Sequence, residues 1–219
     1  ANYAGNEDKA KAFEGETGIR TYKWDVGDFD ACQAAFAQIT EEVGPVDILV
    51  NNAGITRDAT LMRMTYDMWD EVMRVNLGGC FNMAKAVFPG MKDRGWGRIV
   101  NIGSINGQGG QYGQVNYAAA KSGIHGFTKA LALELARKGV TVNAILPGPT
   151  LSEGVTEMLA DAVASGKSLE EAGADFVKAH RPSSIIRRAA TVGEVANLCV
   201  YIASPQASAT TGAALRVDG

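Results

Sequence analysis

Apolar runs of strand length alternate along this chain with amphipathic segments of helix length, and this alternation constrains the fold more than any other feature. It is typical of parallel β-α units, because each helix carries the chain back so that the next strand can run in the same direction. Strands are predicted at residues 19–24, 46–50, 98–102, 140–145 and 213–217. Helices are predicted at residues 7–14, 28–42, 66–91, 115–137 and 192–203. The chain is therefore predicted to be α/β, with a doubly wound, Rossmann-like parallel sheet.

The size and composition of the chain suit one globular domain. Of its 219 residues, 46% are hydrophobic and 21% are charged, which is enough apolar material for a substantial core. We predict a single domain over residues 1–219. The β-α rhythm breaks only after residue 147, where polar helix formers occupy a stretch in which a strand is due. We interpret residues 149–184 as a lid or substrate loop within the domain and call them the lid segment.

The first residues, Ala1-Asn-Tyr-Ala-Gly5, resemble the end of a strand more than the start of a fold. No G-x-G-x-x-G sequence follows a predicted strand and opens a helix, although such a turn binds the pyrophosphate of a dinucleotide in many Rossmann-like folds. We therefore expect that the chain is a fragment of a longer protein and that the first β-α unit, with its strand and glycine-rich loop, is missing.

Charge, hydropathy and cysteine usage exclude several classes of partner. The net charge of −3 does not supply the basic face that a phosphate backbone requires, and no apolar run reaches the roughly 18 residues that span a bilayer. Cys32, Cys80 and Cys199 lie far apart in apolar surroundings and are interpreted as core thiols in a reducing compartment. His125 and His180 lack partners at zinc-like spacing. We expect a cytoplasmic protein with no metal, no nucleic acid and no membrane partner.

A hydroxyl, a phenol and an ammonium occur where one reacting carbonyl group could meet all three. Ser104 follows a predicted strand, and Tyr117 and Lys121 lie at positions i and i+4 of a predicted helix, which share a face. A nearby ammonium favours the ionised phenol and lowers its pKa, as a proton donor for carbonyl reduction requires. The same spacing can also be the half-exposed edge of an amphipathic helix. The glycine-rich loop 103–110 favours the site, because open α/β sheets bind ligands at the carboxyl ends of their strands.

Further polar signals occur in a fixed order along the chain. They are Asp25-Val26 near the end of an early strand, Asn51-Asn52-Ala53-Gly54 after another strand, Asn76 inside a helix, and then Ser104, Tyr117 and Lys121. Each has a plain interpretation alone, since Asn-Ala-Gly is a common turn and a mid-helix asparagine is often solvated. In this order and spacing they resemble the short-chain dehydrogenase/reductase family over nearly the whole chain. The resemblance implies a nicotinamide-dependent oxidoreductase that acts on the CH-OH group.

The resemblance also implies a role for each matching residue. Tyr117 would protonate a ketone oxygen while the nicotinamide delivers a hydride, Ser104 would hydrogen-bond that oxygen, and Lys121 would lower the tyrosine pKa and hold the nicotinamide ribose. Asn76 would bind a water in a proton relay that ends at the lysine, and Asp25 would accept a hydrogen bond from the adenine amine. The implied catalytic residues are Asn76, Ser104, Tyr117 and Lys121. The implied cofactor-binding residues are Asp25, Val26, Asn52, Ala53, Gly54, Tyr117, Lys121, Pro147, Gly148 and Ser152.

Within the family, residues 51–147 are most similar to acetoacetyl-CoA reductases. That likeness implies reduction of a 3-oxoacyl thioester, acetoacetyl-CoA to 3-hydroxybutyryl-CoA, with a substrate pocket lined by Asp58, Gln111, Tyr112 and Gln114. These Gln and Tyr residues could also be solvated turn residues. The tail resembles another branch of the family, because Pro149 stands where acetoacetyl-CoA reductases usually place an aromatic residue. Two alternatives stay open: a 3-oxoacyl-[acyl carrier protein] reductase, and an inactive fragment without cofactor that serves as a binding or oligomer-forming unit.

The cofactor and the oligomeric state are also predicted. NADPH is expected, with NADH as the alternative, because no acidic residue precedes Glu7 at the end of the first strand to bind a ribose 2′-hydroxyl and repel a 2′-phosphate. A homotetramer is expected because the helices over residues 66–91 and 115–137 carry more apolar side chains than one sheet face can cover. The examples are Phe81, Met83, Val87 and Phe88.

Overall fold

The computed structural model describes residues 1–219, which form six parallel strands connected by helices. The strands are β1 (Asn2–Tyr3), β2 (Tyr22–Lys23), β3 (Ile48–Asn51), β4 (Gly97–Ile102), β5 (Val140–Pro147) and β6 (Ala214–Val217). The helices are α1 (Glu7–Thr17), α2 (Phe29–Glu42), α3 (Tyr66–Met73), α4 (Gly79–Arg94), α5 (Asn106–Gly109), α6 (Val115–Leu135), α7 (Glu153–Met158), α8 (Ala160–Ala164), α9 (Leu169–His180) and α10 (Val192–Ala203). The predicted α/β class is confirmed.

The strands form two separate sheets. β1 pairs with β2, and β3, β4, β5 and β6 pair in that order. A cleft of about 490 Å³ lies between the two sheets and is lined by apolar side chains from both, including Trp24, Val26 and Ile48. The strand predicted over residues 19–24 is shorter than expected, because only Tyr22 and Lys23 pair with a neighbour. Asp25-Val26 therefore follows β2 and lies outside it.

Both faces of the four-stranded sheet are covered by helices. Ile99 of β4 and Val142 of β5 are paired in register and pack on one face in a core cluster with side chains of α4 and α6. The next residue, Val100, points to the other face and packs with Ile145 and with Ile202 of α10. Because side chains alternate between faces along a strand, continuous apolar strands of this kind need cover on both sides. The doubly wound arrangement is thus confirmed.

The helix predicted over residues 66–91 is divided in the structure. A π-helical turn, Arg74–Gly78, separates α3 from α4 and contains Asn76, which is 1% exposed. A π turn holds one extra residue, so it changes which side chain points inward. The helical run predicted over residues 66–91 therefore continues through Asn76 with this π turn in it, and the turn carries Asn76 into the interior.

The lid segment forms three short helices, α7, α8 and α9, between β5 and α10. Ser168 and Glu171 form a capping box at the start of α9, which satisfies backbone donors that the first turn leaves free. The buried positions of α9 are Ala172, Gly173 and Val177, so one face of small and apolar residues packs inward. The lid segment is thus an ordered helical cover in which α9 ends beside the cavity described below.

We predict that the close packing of α5 on α6 depends on Gly107. A Cβ there would lie 2.7 Å from the backbone carbonyl carbon of Lys121 and 2.9 Å from Ser122 N. Gly107→Ala should therefore push α5 away from α6, cost about 1–3 kcal/mol of stability and lower Tm by several degrees, as measured by thermal unfolding. Gly109→Ala is the matched control, because a Cβ on that residue of the same helix meets nothing within 4 Å. Equal melting temperatures for the two variants would contradict this prediction.

Candidate active site

A cavity of about 890 Å³ opens at the carboxyl ends of β3, β4 and β5. Asn52 and Gly54 follow β3, Ser104 follows β4, and Gly148 follows β5; all four line the cavity. The first turns of α6 add Tyr117 and Lys121 to the same wall. This is the edge at which open α/β sheets bind ligands. The structure therefore brings the predicted hydroxyl, phenol and ammonium together in one cavity.

Buried amides hold the strand ends beneath this cavity. Asn51 Nδ2 donates to Asn101 Oδ1 at 2.8 Å, and Asn101 Nδ2 donates to Thr128 Oγ1 of α6 at 3.0 Å. Asn101 and Thr128 are at most 1% exposed. Since a buried polar group without a partner costs free energy, these bonds fix β3, β4 and α6 relative to one another. Thr128 was not identified from the sequence, because its hydrogen-bond partner, Asn101, lies 27 residues away in the sequence.

Asn116, the residue before Tyr117, was also missed. Its side chain is fully buried and donates to the backbone carbonyls of Arg57 and Met68, at 3.0 and 3.1 Å. Its Oδ1 accepts from the backbone N-H of Tyr117 at 2.8 Å. Asn116 therefore attaches the start of α6 to the loop after β3, which fixes the position from which the phenol projects.

Tyr117 lies in a site where burial and neighbouring polar groups act on its pKa in opposite directions. Burial raises the pKa of its phenol, and a hydrogen bond with Ser104 acts in the opposite direction. Lys121 Nζ lies 5.6 Å from the centroid of the phenol ring and donates to the carbonyl of Ile102 at 2.7 Å. The ammonium is thus directed at the end of β4. Desolvation is therefore the larger effect on the tyrosine pKa, and the expected lowering by Lys121 stays a prediction. Tyr117 consequently keeps its proton at neutral pH.

Lys121 is itself deeply buried, at 4% exposed, and desolvation lowers its pKa to about 8. Gly54 lies against it, since a Cβ at Gly54 would come 3.6 Å from Lys121 Nζ and 3.4 Å from Asn76 Oδ1. The Asn76 amide donates to Ile55 O at 2.9 Å and accepts from Ile55 N at 2.8 Å. In this structure Asn76 therefore holds the loop after β3 beside the lysine. Its implied role in a proton relay stays a prediction.

Most of the residues implied for the cofactor lie in or beside the cavity. Pro147, Gly148 and Ser152 line it, and the Ser152 hydroxyl is free of a capping bond to α7. Ala53 and Val26 line the neighbouring cleft between the sheets, and Asn52 lines both spaces.

Asp25 lines neither the cavity nor the cleft. Its carboxylate is paired with Arg74 at 2.7 Å and accepts from Gly27 N at 2.8 Å. The expectation that it faces an adenine is therefore not supported by its contacts.

Of the four residues expected to bind the substrate, three line the cavity and one lies outside it. Asp58, Gln111 and Gln114 line the cavity. Tyr112 does not, and 88% of it is exposed to solvent. Its placement in the pocket is corrected here, because the loop turns Gln111 inward and its neighbour outward.

Comparison with known proteins assigns the fold to a family. The family model described as enoyl-(acyl carrier protein) reductase matches residues 1–219. The acetoacetyl-CoA reductase of Rhizobium meliloti (strain 1021) is 49% identical over 219 residues, which are all of this chain and 86% of that relative. This chain belongs to the short-chain dehydrogenase/reductase family. It is accordingly an oxidoreductase that acts on a CH-OH group, and its family implies a nicotinamide cofactor.

Two further members of the family extend the comparison. The acetoacetyl-CoA reductase of Paracoccus denitrificans is 62% identical over 148 residues, 68% of this chain and 61% of that protein. The 3-oxoacyl-[acyl-carrier-protein] reductase of Vibrio harveyi is 42% identical over 194 residues, 89% of this chain and 74% of that protein. Because the R. meliloti match runs through the lid segment, likeness to acetoacetyl-CoA reductases is not confined to residues 51–147.

Two structural findings bear on other classes of site. No helix of the structure is both long enough and apolar enough to cross a bilayer. No group of three or more His, Cys, Asp and Glu side chains could hold a metal ion.

We predict that carbonyl reduction loses activity as the pH rises through about 8. Lys121 is a cation below its lowered pKa and is neutral above it, whereas the raised pKa of Tyr117 keeps the phenol protonated across this range. The pH profile of kcat/KM should be flat from pH 6 to 7 and then fall by about tenfold per unit above the lysine pKa. Lys121→Met should be slow at every pH and lack this fall. A wild-type profile that stays flat to pH 9.5 would contradict the assignment.

Proposed function

We propose that this protein reduces a 3-oxoacyl thioester with NADPH and that its substrate is acetoacetyl-CoA, which becomes 3-hydroxybutyryl-CoA. The observation that carries the proposal is the 49% identity over the whole chain to an acetoacetyl-CoA reductase. The cavity supports it, because Asp58, Gln111 and Gln114 form a polar wall in the same space as Ser104 and Tyr117. Such a cavity can hold a reacting ketone next to two hydroxyl donors while polar groups bind the rest of a thioester.

In the proposed reaction Tyr117 is the acid. When a nicotinamide is bound, it supplies the hydride for the carbonyl carbon. The phenol of Tyr117 gives its proton to the carbonyl oxygen, and Ser104 donates a hydrogen bond to the same oxygen as negative charge develops there. The Lys121 ammonium favours the phenolate that remains and holds the nicotinamide ribose. The phenolate then regains its proton through Lys121, and a water held at Asn76 passes a proton from solvent to the lysine in its place.

The residues around Lys121 fit the nicotinamide half of the cofactor. Gly54 has no side chain, so the ribose can approach Lys121 closely. The Ser152 hydroxyl, which caps no helix, is available to a carboxamide. Pro147 and Gly148 form the floor after β5, and Asn52 with Ala53 leads from the cavity into the neighbouring cleft, where Val26 lies.

Reduction of a carrier-protein thioester is the second candidate, and the relative from Vibrio harveyi favours it. An acidic carrier protein would dock on exposed arginine and lysine residues beside the cavity. The Arg57 guanidinium is bound by both oxygens of Glu71, and Arg94 is paired with Asp47. Arg94 and Asp47 lie at the start of β3, away from the cavity, and the Arg57 ion pair lowers the basic charge open to a carrier protein and to the CoA phosphates alike. Arg181 lines the cavity without an ion pair and suits either partner, so turnover distinguishes the two candidates.

We also propose a cytoplasmic homotetramer in which α4 and α6 pack against a second subunit. An apolar groove between these helices is lined by Phe81, Phe88, Phe127 and Leu131, and Phe81 is 50% exposed. Met83 and Val87 were expected on this surface, but they are buried against the sheet. The unpaired thiols of the three cysteines, Cys32, Cys80 and Cys199, suit a reducing compartment.

Turnover of acetoacetyl-CoA by the full chain tests the proposed substrate. We expect consumption of NADPH with acetoacetyl-CoA and weaker turnover of a 3-oxoacyl carrier-protein thioester. Tyr117→Phe should lower kcat by about 100-fold or more, since it removes the general acid, while fluorescence titration shows nearly unchanged NADPH binding. Turnover of the carrier-protein thioester alone would select the second candidate. A chain that binds no NADPH and reduces neither thioester would support the inactive-fragment alternative.

Cofactor preference is a separate prediction. β1 ends at Tyr3, and the first acidic residue after it is Glu7, which is paired with Lys11. No carboxylate at the strand end therefore repels a 2′-phosphate, and kcat/KM should be higher with NADPH than with NADH. Measuring both constants with one thioester decides the matter, and a clear preference for NADH would refute the prediction.

A further inference from the structure

A series of hydrogen-bonded side chains connects the lid segment to Asp58 in the wall of the cavity. Gln114 Nε2 donates to Asp58 Oδ2 at 2.7 Å, and Asn106 Nδ2 donates to Gln114 Oε1 at 2.9 Å. Arg181, the residue at the C-terminal end of α9, donates through one nitrogen to Asn106 Oδ1 and to Gln111 Oε1, both at 2.8 Å. Arg181 is thus the only one of these hydrogen-bonded residues that belongs to the lid segment.

The two charged ends fix the direction of every amide between them. A guanidinium only donates and a carboxylate only accepts, whereas an amide does both through different atoms. Asn106 must therefore turn its oxygen to Arg181 and its nitrogen to Gln114, and Gln114 must turn its nitrogen to Asp58. All the bonds of the series agree with this direction, so Arg181 and Asp58 orient the two amides from opposite ends.

Gln111 is oriented by the same guanidinium. Because Arg181 occupies Gln111 Oε1, the Nε2 group is left as a donor that makes no hydrogen bond within the protein, and the residue lines the cavity. A free N-H donor at this place suits a carbonyl oxygen of an acyl thioester. Orientation of Gln111 is therefore the step at which the lid segment can influence substrate binding.

Arg181 has no carboxylate partner, in contrast to Arg188. It donates to the carbonyl of His180 and to the two amides, and it forms no ion pair. Arg188, seven residues further along, is bound by both oxygens of Glu194. The guanidinium of Arg181 thus donates to neutral oxygens of the pocket. These hydrogen bonds are strong because the donor is charged.

We propose that Arg181 is a positioning residue that docks the lid segment on the substrate pocket and orients Gln111 as a donor to the acyl thioester. Its part in substrate binding rests on the proposed function, whereas its part in docking the lid does not. Arg181 contacts neither Ser104 nor Tyr117. Asn106 does donate to Ser104 Oγ at 3.1 Å, but through its backbone N-H and not through the side chain that Arg181 binds. Arg181 therefore determines KM for the thioester more than the rate of proton transfer.

Steady-state kinetics and hydrogen exchange on the full chain test the two parts separately. Arg181→Met should raise KM for acetoacetyl-CoA by about tenfold or more, as loss of a charged hydrogen bond predicts, and change kcat less than threefold. Amide exchange in residues 169–180 should become faster. Arg181→Lys should restore part of both effects, because an ammonium can still donate to one amide. Arg188→Met is the matched control and should leave both measurements unchanged.

Gln111→Glu separates docking from substrate binding. A glutamate still accepts from Arg181, so exchange in α9 should stay as slow as in the wild type, but it has no N-H donor and KM should rise by about tenfold. If wild type does not turn over any thioester while Arg181→Met still speeds exchange, docking stands and the proposed substrate fails. If Arg181→Met matches Arg188→Met in KM and in exchange, or lowers kcat as much as it raises KM, the proposal is overturned.

Discussion

The parallel register of β3, β4 and β5 is the constraint on which the site depends. Asn51 is paired with Asn101, and Asn101 is paired with Ala144, so the three strands end side by side. The backbone ladder sets this register, and the buried bond between the two asparagine side chains adds a penalty for any shift, because a slipped strand would leave an amide without a partner. The loops that follow the three strands consequently open at one edge and supply one cavity.

Desolvation then determines the chemistry of the groups in that cavity. Lys121 is almost fully buried, and its pKa falls to about 8, while burial raises the pKa of Tyr117. Both shifts have the same cause, which is the cost of holding a charge in a medium of low dielectric. A protonated phenol beside a lysine that is still charged at neutral pH is the combination that carbonyl reduction needs, since the acid starts the reaction with its proton in place.

The hydrogen bonds between Asp58 and Arg181 fix side chains in a part of the molecule that lies outside both β-sheets. Four of the hydrogen-bonded residues come from the segments after β3 and β4, and the fifth, Arg181, directly follows the helix α9 of the lid segment. Half-buried amides can rotate and exchange partners with water, but charges of opposite sign at the two ends leave them one arrangement. The pocket wall and its cover are thereby coupled without direct contact between Asp58 and Arg181.

The sequence by itself determined the elements and most of the site. Hydrophobic periodicity located five strands and the bounds of α10, because periodicity is a local property. It also identified Ser104, Tyr117 and Lys121, whose spacing on one helix and after one strand end is local as well. Features that depend on the direction of a side chain, or on a partner far away in the sequence, were decided only by the tertiary structure. The π turn at Asn76 inserts one residue that a periodic pattern does not reveal, and the glycine-rich loop turns Gln111 inward and Tyr112 outward. Burial raises the pKa of Tyr117, and Arg181 contacts Gln111 across 70 residues of sequence, because side-chain direction and solvation are set by packing between elements.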